Sequence, residues 1–458
     1  MLEADQMDLE TTIARWVHRF SIDQAPAGAI GAATLCIADV MGVAHAGSRT
    51  ETYGLCSRTG FHQGGCTVIG TGATADAPSA AYLNAVASHV LDFDDTSYAG
   101  IVHGSAVILP AVLAVAEEIG ANGRQLLEAF ICAAEVEYTL GLALTETLYA
   151  RGHWTTATLG ILGATVGACK LYGLGVEEVA NAIRLSMNIP LGLRATHGST
   201  GKPFLCGMAA RLGVEMALAA KAGIAGSTNT THHAFGFINT VNGGRFHEDA
   251  IAGLGTRFAL ISPGIAFKLY PLCSATQAAI EATLMIATTL RPRVADIVRI
   301  RCRTTPLAAS CLPYLEPTAP SEAQFSMTFA IACALLYGPV SINHLNMETL
   351  RDERLRVLMT HIEMIADAEL VDPRERADYP EGASVEITLA NGERYSETIL
   401  AAEGMPQKPA SIDTLCTKFK DCTAQVLEAS GREALWDRLM SIASLPEARD
   451  LLRPAAHA

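Results

Sequence analysis

Charge is scarce in this chain. Only 17% of its 458 residues are Asp, Glu, Lys or Arg, and no run of Lys or Arg occurs. The formal net charge is −14, so the surface as a whole repels polyanions, which argues against nucleic acid and anionic membrane as partners. Aromatics are few, at 6%. None of the twelve cysteines forms a CxxC pair, and most sit in apolar context, as in Ile-Ala-Cys333-Ala-Leu. They read as reduced core cysteines. The apolar run from Ser105 to Ala116 contains Pro110 and is too short to span a bilayer. The acidic, amphipathic start, MLEADQMDLETTIARW, does not read as a signal peptide. Repeats, low-complexity tracts and long linkers are missing as well. The expectation is a soluble, cytoplasmic protein.

Half of the residues are hydrophobic, and the length exceeds what one core usually serves, so two domains are expected. From residue 8 to about 265 helical spacing dominates. Leu9, Ile13, Trp16 and Val17 recur at i, i+4, i+7 and i+8, which makes one helical face. Gln125–Thr145 and Val176–Met187 look similar, and small residues, as in Gly163–Lys170, let such helices approach closely. The pattern changes after Pro271. Val294–Arg303 is a β-branched run with charges alternating in. Ser384–Ala390 alternates strictly, and Asn391-Gly392 joins it to Arg394–Leu400, a strong hairpin signal. Glu322–Tyr337 reads as a helix between these strands, and Ser411–Leu452 is helical again. The fold class expected is mainly α. A helical domain over 1–265 is completed by C-terminal helices within 405–458, and a smaller α+β domain covers 266–404.

The conspicuous local string is Leu91-Asp92-Phe93-Asp94-Asp95-Thr96. It matches the DxDxT motif of phosphatases, but that chemistry needs the first Asp at the end of a buried parallel strand, and Ser79–Val90 has helical spacing. Mg²⁺-held diphosphate chemistry lacks a second acidic cluster. Alone, the string reads as a helix end capped by carboxylates. Four other polar residues change its weight. His103 (Ile-Val-His-Gly-Ser), His153 (Arg-Gly-His-Trp-Thr-Thr), Lys202 (Ser-Thr-Gly-Lys-Pro) and Lys268 (Phe-Lys-Leu-Tyr-Pro) each open an element that then turns apolar. Any one of them reads as a partly buried, hydrogen-bonded side chain. Together they can line one cavity, and helix N-termini favour bound carboxylates. The pair His232-His233 has no Cys or carboxylate at ligand spacing and reads as loop structure.

These residues carry a resemblance. The string from Asn84 to Thr96, with His103, resembles the MmgE/PrpD family. So do RGHWTTATLGILGA (151–164), STGKPFLCGMAARLG (199–213), PGIAFKLYPLC (263–273), SEAQFSMTFAIACALLYG (321–338) and GMPQKPASIDTLCTKFKDC (404–422). The resemblance spans roughly residues 10 to 440. It implies a large helical domain, a smaller α+β lid over 266–404, a homodimer and a site between the domains without metal or organic cofactor. It also implies dehydration, decarboxylation or epimerisation of a small polycarboxylic acid, on substrates such as 2-methylcitrate, cis-aconitate or iminodisuccinate. Asp92, Thr96, His103, His153, Lys202 and Lys268 match the family's active-site residues, and Tyr314 matches a tyrosine of decarboxylase and epimerase members. The spacing from Thr96 to His103 and from Tyr314 to Glu322, with Lys418–Thr423, looks most like the epimerase branch. Two positions depart from the pattern: Gln277 stands where many members place a histidine, and Gly201 where a threonine is usual.

These reactions share one difficulty, because negative charge develops on carbon beside a carboxylate that is already negative. Positioned acid/base groups are worth about 10²–10⁴ in rate, and fixed cations add a comparable term. The expected roles are proton transfer by His103 and His153, with Asp92 orienting His103 and Tyr314 as a second acid. Lys202 and Lys268 are expected to clamp substrate carboxylates, and Thr96 and Gln277 to hydrogen-bond the substrate. A non-catalytic acid-binding protein on the same scaffold is the alternative.

Overall fold

The computed structural model describes residues 8–453, apart from the side chains at 145, 146, 291 and 292. The first seven residues of the acidic N-terminal stretch and the last five of the C-terminal segment lie outside the described residues. Long apolar helices fill the chain up to Lys221: Ala27–Gly47, Ala77–His89, Gly104–Ile119, Gly123–Ala150, Thr155–Leu171, Val176–Met187 and Gly201–Lys221. Small residues set how closely they pack. A Cβ at Gly160 would lie 2.9 Å from Val107, and one at Gly167 would lie 2.4 Å from Val112, so Thr155–Leu171 can press against Gly104–Ile119 only with glycine there. Ala27–Gly47 and Gly201–Lys221 are long and apolar enough to cross a membrane by composition, but both contribute many residues to this core.

A second apolar core is built from residues 266–405, with Tyr149 joining it. It lies under a four-stranded sheet: β1 (Ile297–Thr304), β2 (Ile362–Ala366), β3 (Ala383–Leu389) and β4 (Arg394–Ile399), in the order β2-β1-β3-β4. β1 and β2 are parallel, and the other pairs are antiparallel. Val385, Ile387 and Leu389 are buried against the helix Gln277–Leu290, as the strict alternation requires. The turn at Asn391-Gly392 closes the expected hairpin, with Gly392 at φ +87°. The expected helix over 322–337 is two pieces, Pro320–Ala323 and Met327–Tyr337. Ser326 caps the second by accepting from the Phe329 N–H. The C-terminal helices Ile412–Thr423 and Ala429–Met440 pack on Ala27–Gly47, and Phe419, Leu435 and Leu439 belong to the first core. Eleven of the twelve unpaired cysteines are buried and Cys416 is half-buried.

Two crossings between the cores position the site. Thr96–Ser97 pairs antiparallel with Ile265–Ala266, which brings Lys268 alongside the Asp92 turn. Tyr98 donates from the next turn to Glu381 at 2.5 Å, and Ser274 donates to the same carboxyl at 3.0 Å.

Candidate active site

The helix Ala77–His89 ends at the DxDxT-like string, which therefore follows a helix and not a strand. The phosphatase geometry is absent. Asp92 has φ +48°, and Ile101 has φ +57°; among the described residues these are the only non-glycine residues with positive φ. Both flank the site. A left-handed conformation costs an L-residue roughly 1–2 kcal/mol, so each is held there by its surroundings.

Four segments hold the turn by its carbonyls. Gln324 Nε2 donates to Val90 O at 3.1 Å, and Lys268 Nζ to Asp92 O at 2.6 Å. Lys418 Nζ donates to Phe93 O at 2.7 Å, and it also pairs with buried Asp39 at 2.7 Å. His103 Nδ1 meets Asp95 O at 2.9 Å.

Asp92 sits between two ammonium groups. Lys202 Nζ is 2.5 Å from Oδ1 and Lys268 Nζ 2.9 Å from Oδ2, all three side chains being almost wholly buried. Burial alone would raise the Asp92 carboxyl. Lys202 and Lys268, helped by His103 and His89, outweigh it and hold the group well below the usual carboxylate range. Burial lowers Lys268 in turn, and Asp92 and Asp94 more than restore it.

The expectation that Asp92 orients His103 is corrected here, because both Asp92 oxygens are taken by lysines. Asp94 lies 3.2 Å from His103 Nδ1 and 2.9 Å from His89 Nδ1. Thr96 Oγ1 is 3.2 Å from the same His103 nitrogen, so Thr96 fixes the ring as well. The backbone N–H of His103 donates to Thr156 Oγ1 at 3.1 Å. Nε2 of His103 has no protein partner among the described residues, and the side chain is 13% exposed.

Gln277 is also corrected. It is buried, its Oε1 accepts from the N–H groups of Leu269 and Tyr270, and its Nε2 donates to the carbonyls of Tyr270 and Leu272. With its polar atoms committed, it is a clamp on the loop carrying Lys268 and not a substrate ligand. Tyr314 gives its hydroxyl hydrogen to His197 O at 2.9 Å, which leaves its oxygen as an acceptor. It lines an open pocket of about 490 Å³ with Arg194, His197 and Gly152, within the size range of small-molecule sites. His153 lies beside Gly152 in the turn before Thr155–Leu171, where its Nδ1 is buried without a partner. The structure does not bring it into hydrogen-bond contact with the Asp92 cluster. A tighter recess is lined by Asp92, His89, Lys202, Ser199, Thr200 and Ser321.

Among the described residues, one group has metal-ligand proximity: His89, Asp94 and His103, with ligand atoms within 4.8 Å of one another. The donor set does not suit an ion. His89 Nε2 faces Lys202 Nζ at 2.7 Å. A metal on Nδ1 would force the ring hydrogen onto Nε2, setting two donors against each other. His232 and His233 lie in a turn away from this group.

His89, Asp94, Gln324 and Lys418 stand inside the motif strings, but their roles there are not evident from spacing. The motifs that the site draws together come from both halves of the chain, and comparison with known proteins follows the same division. Residues 11–249 match the MmgE/PrpD N-terminal domain, and residues 270–440 match the MmgE/PrpD C-terminal domain. Cis-aconitate decarboxylase of Mus musculus is 25% identical over 437 residues, covering 91% of this chain and 87% of the relative. The Homo sapiens enzyme of that name is 23% identical, covering 94% and 89%. That of Aspergillus terreus is 23% identical, covering 96% and 94%. With both of its domains matched in order, over 11–249 and 270–440, this chain belongs to the MmgE/PrpD family.

Proposed function

We propose that this chain is a lyase acting on a small tricarboxylic acid of the cis-aconitate kind, moving a proton at a carbon beside a carboxylate with its own side chains. The observation that carries this reading is His103. Its Nδ1 is fixed by Asp95, Asp94 and Thr96, its Nε2 has no protein partner among the described residues, and the turn it is held against carries two lysines paired with one aspartate.

Decarboxylation of an unsaturated tricarboxylic acid breaks one C–C bond. The electron pair left behind passes through the double bond toward a remaining carboxylate, carbon dioxide departs, and a carbon then takes up one proton. His103 supplies that proton from Nε2. Lys202 and Lys268 are held in place by their pairing with Asp92. The fixed ammonium groups stabilise the charge as it builds, without reorganising. The names of the relatives support a tricarboxylic substrate. Dehydration and epimerisation move a proton at such a carbon as well, but begin by abstracting it, so the product decides among them.

The test is incubation of purified protein in D₂O with cis-aconitate, citrate, 2-methylcitrate and iminodisuccinate, followed by proton NMR. The expected result is loss of carbon dioxide from cis-aconitate with one deuterium on the product carbon. H103Q is expected to slow this at least ~100-fold in a folded protein. Deuterium exchange with no loss of carbon dioxide would move the reaction to epimerisation. Binding of every acid without turnover would replace the lyase by an acid-binding protein.

A further inference from the structure

We infer that Asp94 and His89 form a fixed relay that ties the orientation of His103 to the position of Lys202, so that one carboxylate sets both the acid and the cation of the site. The inference rests on the proton-transfer reading for its consequence, though not for its geometry.

An ammonium group has only donors, so the ring nitrogen that faces it must hold a lone pair. Lys202 Nζ lies 2.7 Å from His89 Nε2. His89 therefore carries its hydrogen on Nδ1, which faces Asp94 at 3.0 and 2.9 Å from the two oxygens. A second proton on His89 would point at the ammonium group. Burial, with Lys202 adding to it against Asp94, lowers His89 to about 4, so the ring stays neutral near pH 7. Burial would raise Asp94, and its two histidine neighbours more than offset this, so it remains a carboxylate.

The charge of Asp94 is thus not spent on His89. Asp94 also faces His103, whose Nδ1 is 3.2 Å from Oδ2. Its hydrogen goes to the Asp95 carbonyl, and Asp94 supplies the countercharge from the side. Packing prevents the relay from turning. The His89 side chain is 0% exposed, its ring lying 5.4 Å from Trp154 and 4.8 Å from His103 between centroids. Trp154 and Phe325 also flank Lys202, at 5.3 and 4.9 Å. Asp94 and His89 act through His103 and Lys202, and they are positioning residues.

The experiment is multiple-bond ¹H–¹⁵N NMR of the full-length protein with ¹⁵N-histidine, near neutral pH, the signals of His89 and His103 being assigned with H89Q and H103Q. The wild-type protein is expected to show His89 neutral with its hydrogen on Nδ1. In D94N that single tautomer is expected to be lost, kcat to fall about 100-fold and KM for the acid to rise, with the circular dichroism spectrum unchanged. A wild-type His89 that carries hydrogen on Nε2, or is an imidazolium, overturns the relay. So does wild-type kcat in D94N. If the wild-type protein turns over none of the polycarboxylates, the proton-transfer reading fails, and the His89 tautomer alone decides the relay. That measurement needs no folded D94N protein.

Discussion

Two aspartates three residues apart in one turn are pushed toward different charge states, and their neighbours are the cause. Asp92 is ionised because two lysines face its two oxygens. Asp95 is buried, neither of its oxygens has a hydrogen-bond partner among the described residues, and both burial and the nearby Asp39 and Asp94 push its carboxyl well above the ordinary value. Its surroundings favour the neutral acid over the carboxylate. Asparagine has the shape of either residue, so the two substitutions should differ sharply. D92N leaves two buried ammonium groups without their anion and is expected to cost about 3–5 kcal/mol. D95N exchanges one neutral group for another and is expected to cost no more than about 1 kcal/mol. Urea denaturation of the two variants measures this directly. Equal losses, or a larger loss in D95N, would contradict the assigned charge states.

At the scale of elements, a catalytic loop is only as well placed as the segments that grip it. Gln277 opens the helix Gln277–Leu290 and reaches back to four backbone groups of residues 269–272, directly after Lys268. Q277A strands those groups in a buried place, where an unmade hydrogen bond costs about 1–3 kcal/mol. The expected outcome is a lower melting temperature and a raised KM with kcat less affected, because in the proposed mechanism the loop supplies a cation and not the proton. A fall in kcat at constant KM would return Gln277 to the chemistry. The example also shows what was legible in the sequence. The alternation of Ser384–Ala390 and the Asn-Gly turn gave the hairpin, because period and turn chemistry are local. The boundary of Val176–Met187 was equally plain. β2, at Ile362–Ala366, was missed, since a short parallel strand carries little signal of its own. Asp92, Thr96, His103, Lys202 and Lys268 were legible as a set. Which aspartate serves which partner was not, because the answer lies in the +48° φ of Asp92. That angle turns its carboxylate toward the lysines and leaves Asp94 for the histidines. Gln277 was misread as a pocket residue because its partners are backbone groups, which a sequence does not mark.

For the whole molecule, the two cores meet through a buried polar link whose charge depends on pH. Tyr98 lies two residues beyond Thr96, while Glu381 precedes β3 in the other core, and their hydrogen bond joins the two beside the active site. Burial, with Cys311 adding to it, raises the Glu381 carboxyl to about 7 against the hydrogen bonds from Tyr98 and Ser274. The folded protein therefore holds this proton more firmly than the unfolded chain does. The resulting stabilisation is fully present below the ordinary glutamate value near 4.5 and is lost as pH rises through about 7. The full loss is on the order of 3 kcal/mol. Other buried groups titrate in the same window, His89 with the opposite sign, so the contribution must be isolated by difference. E381Q keeps a neutral group of the same shape and cannot ionise. Relative to E381Q, wild-type protein is expected to lose stability from about pH 5 to about pH 7 and to level off above it, and the two unfolding curves measured across that range give the difference. A constant offset between them would mean that Glu381 keeps one charge state throughout. A declining difference would show that ionising Glu381 inside this contact costs stability through desolvation, although Tyr98 and Ser274 still donate to the carboxylate, so the cost is that of a buried charge and not of a lost link.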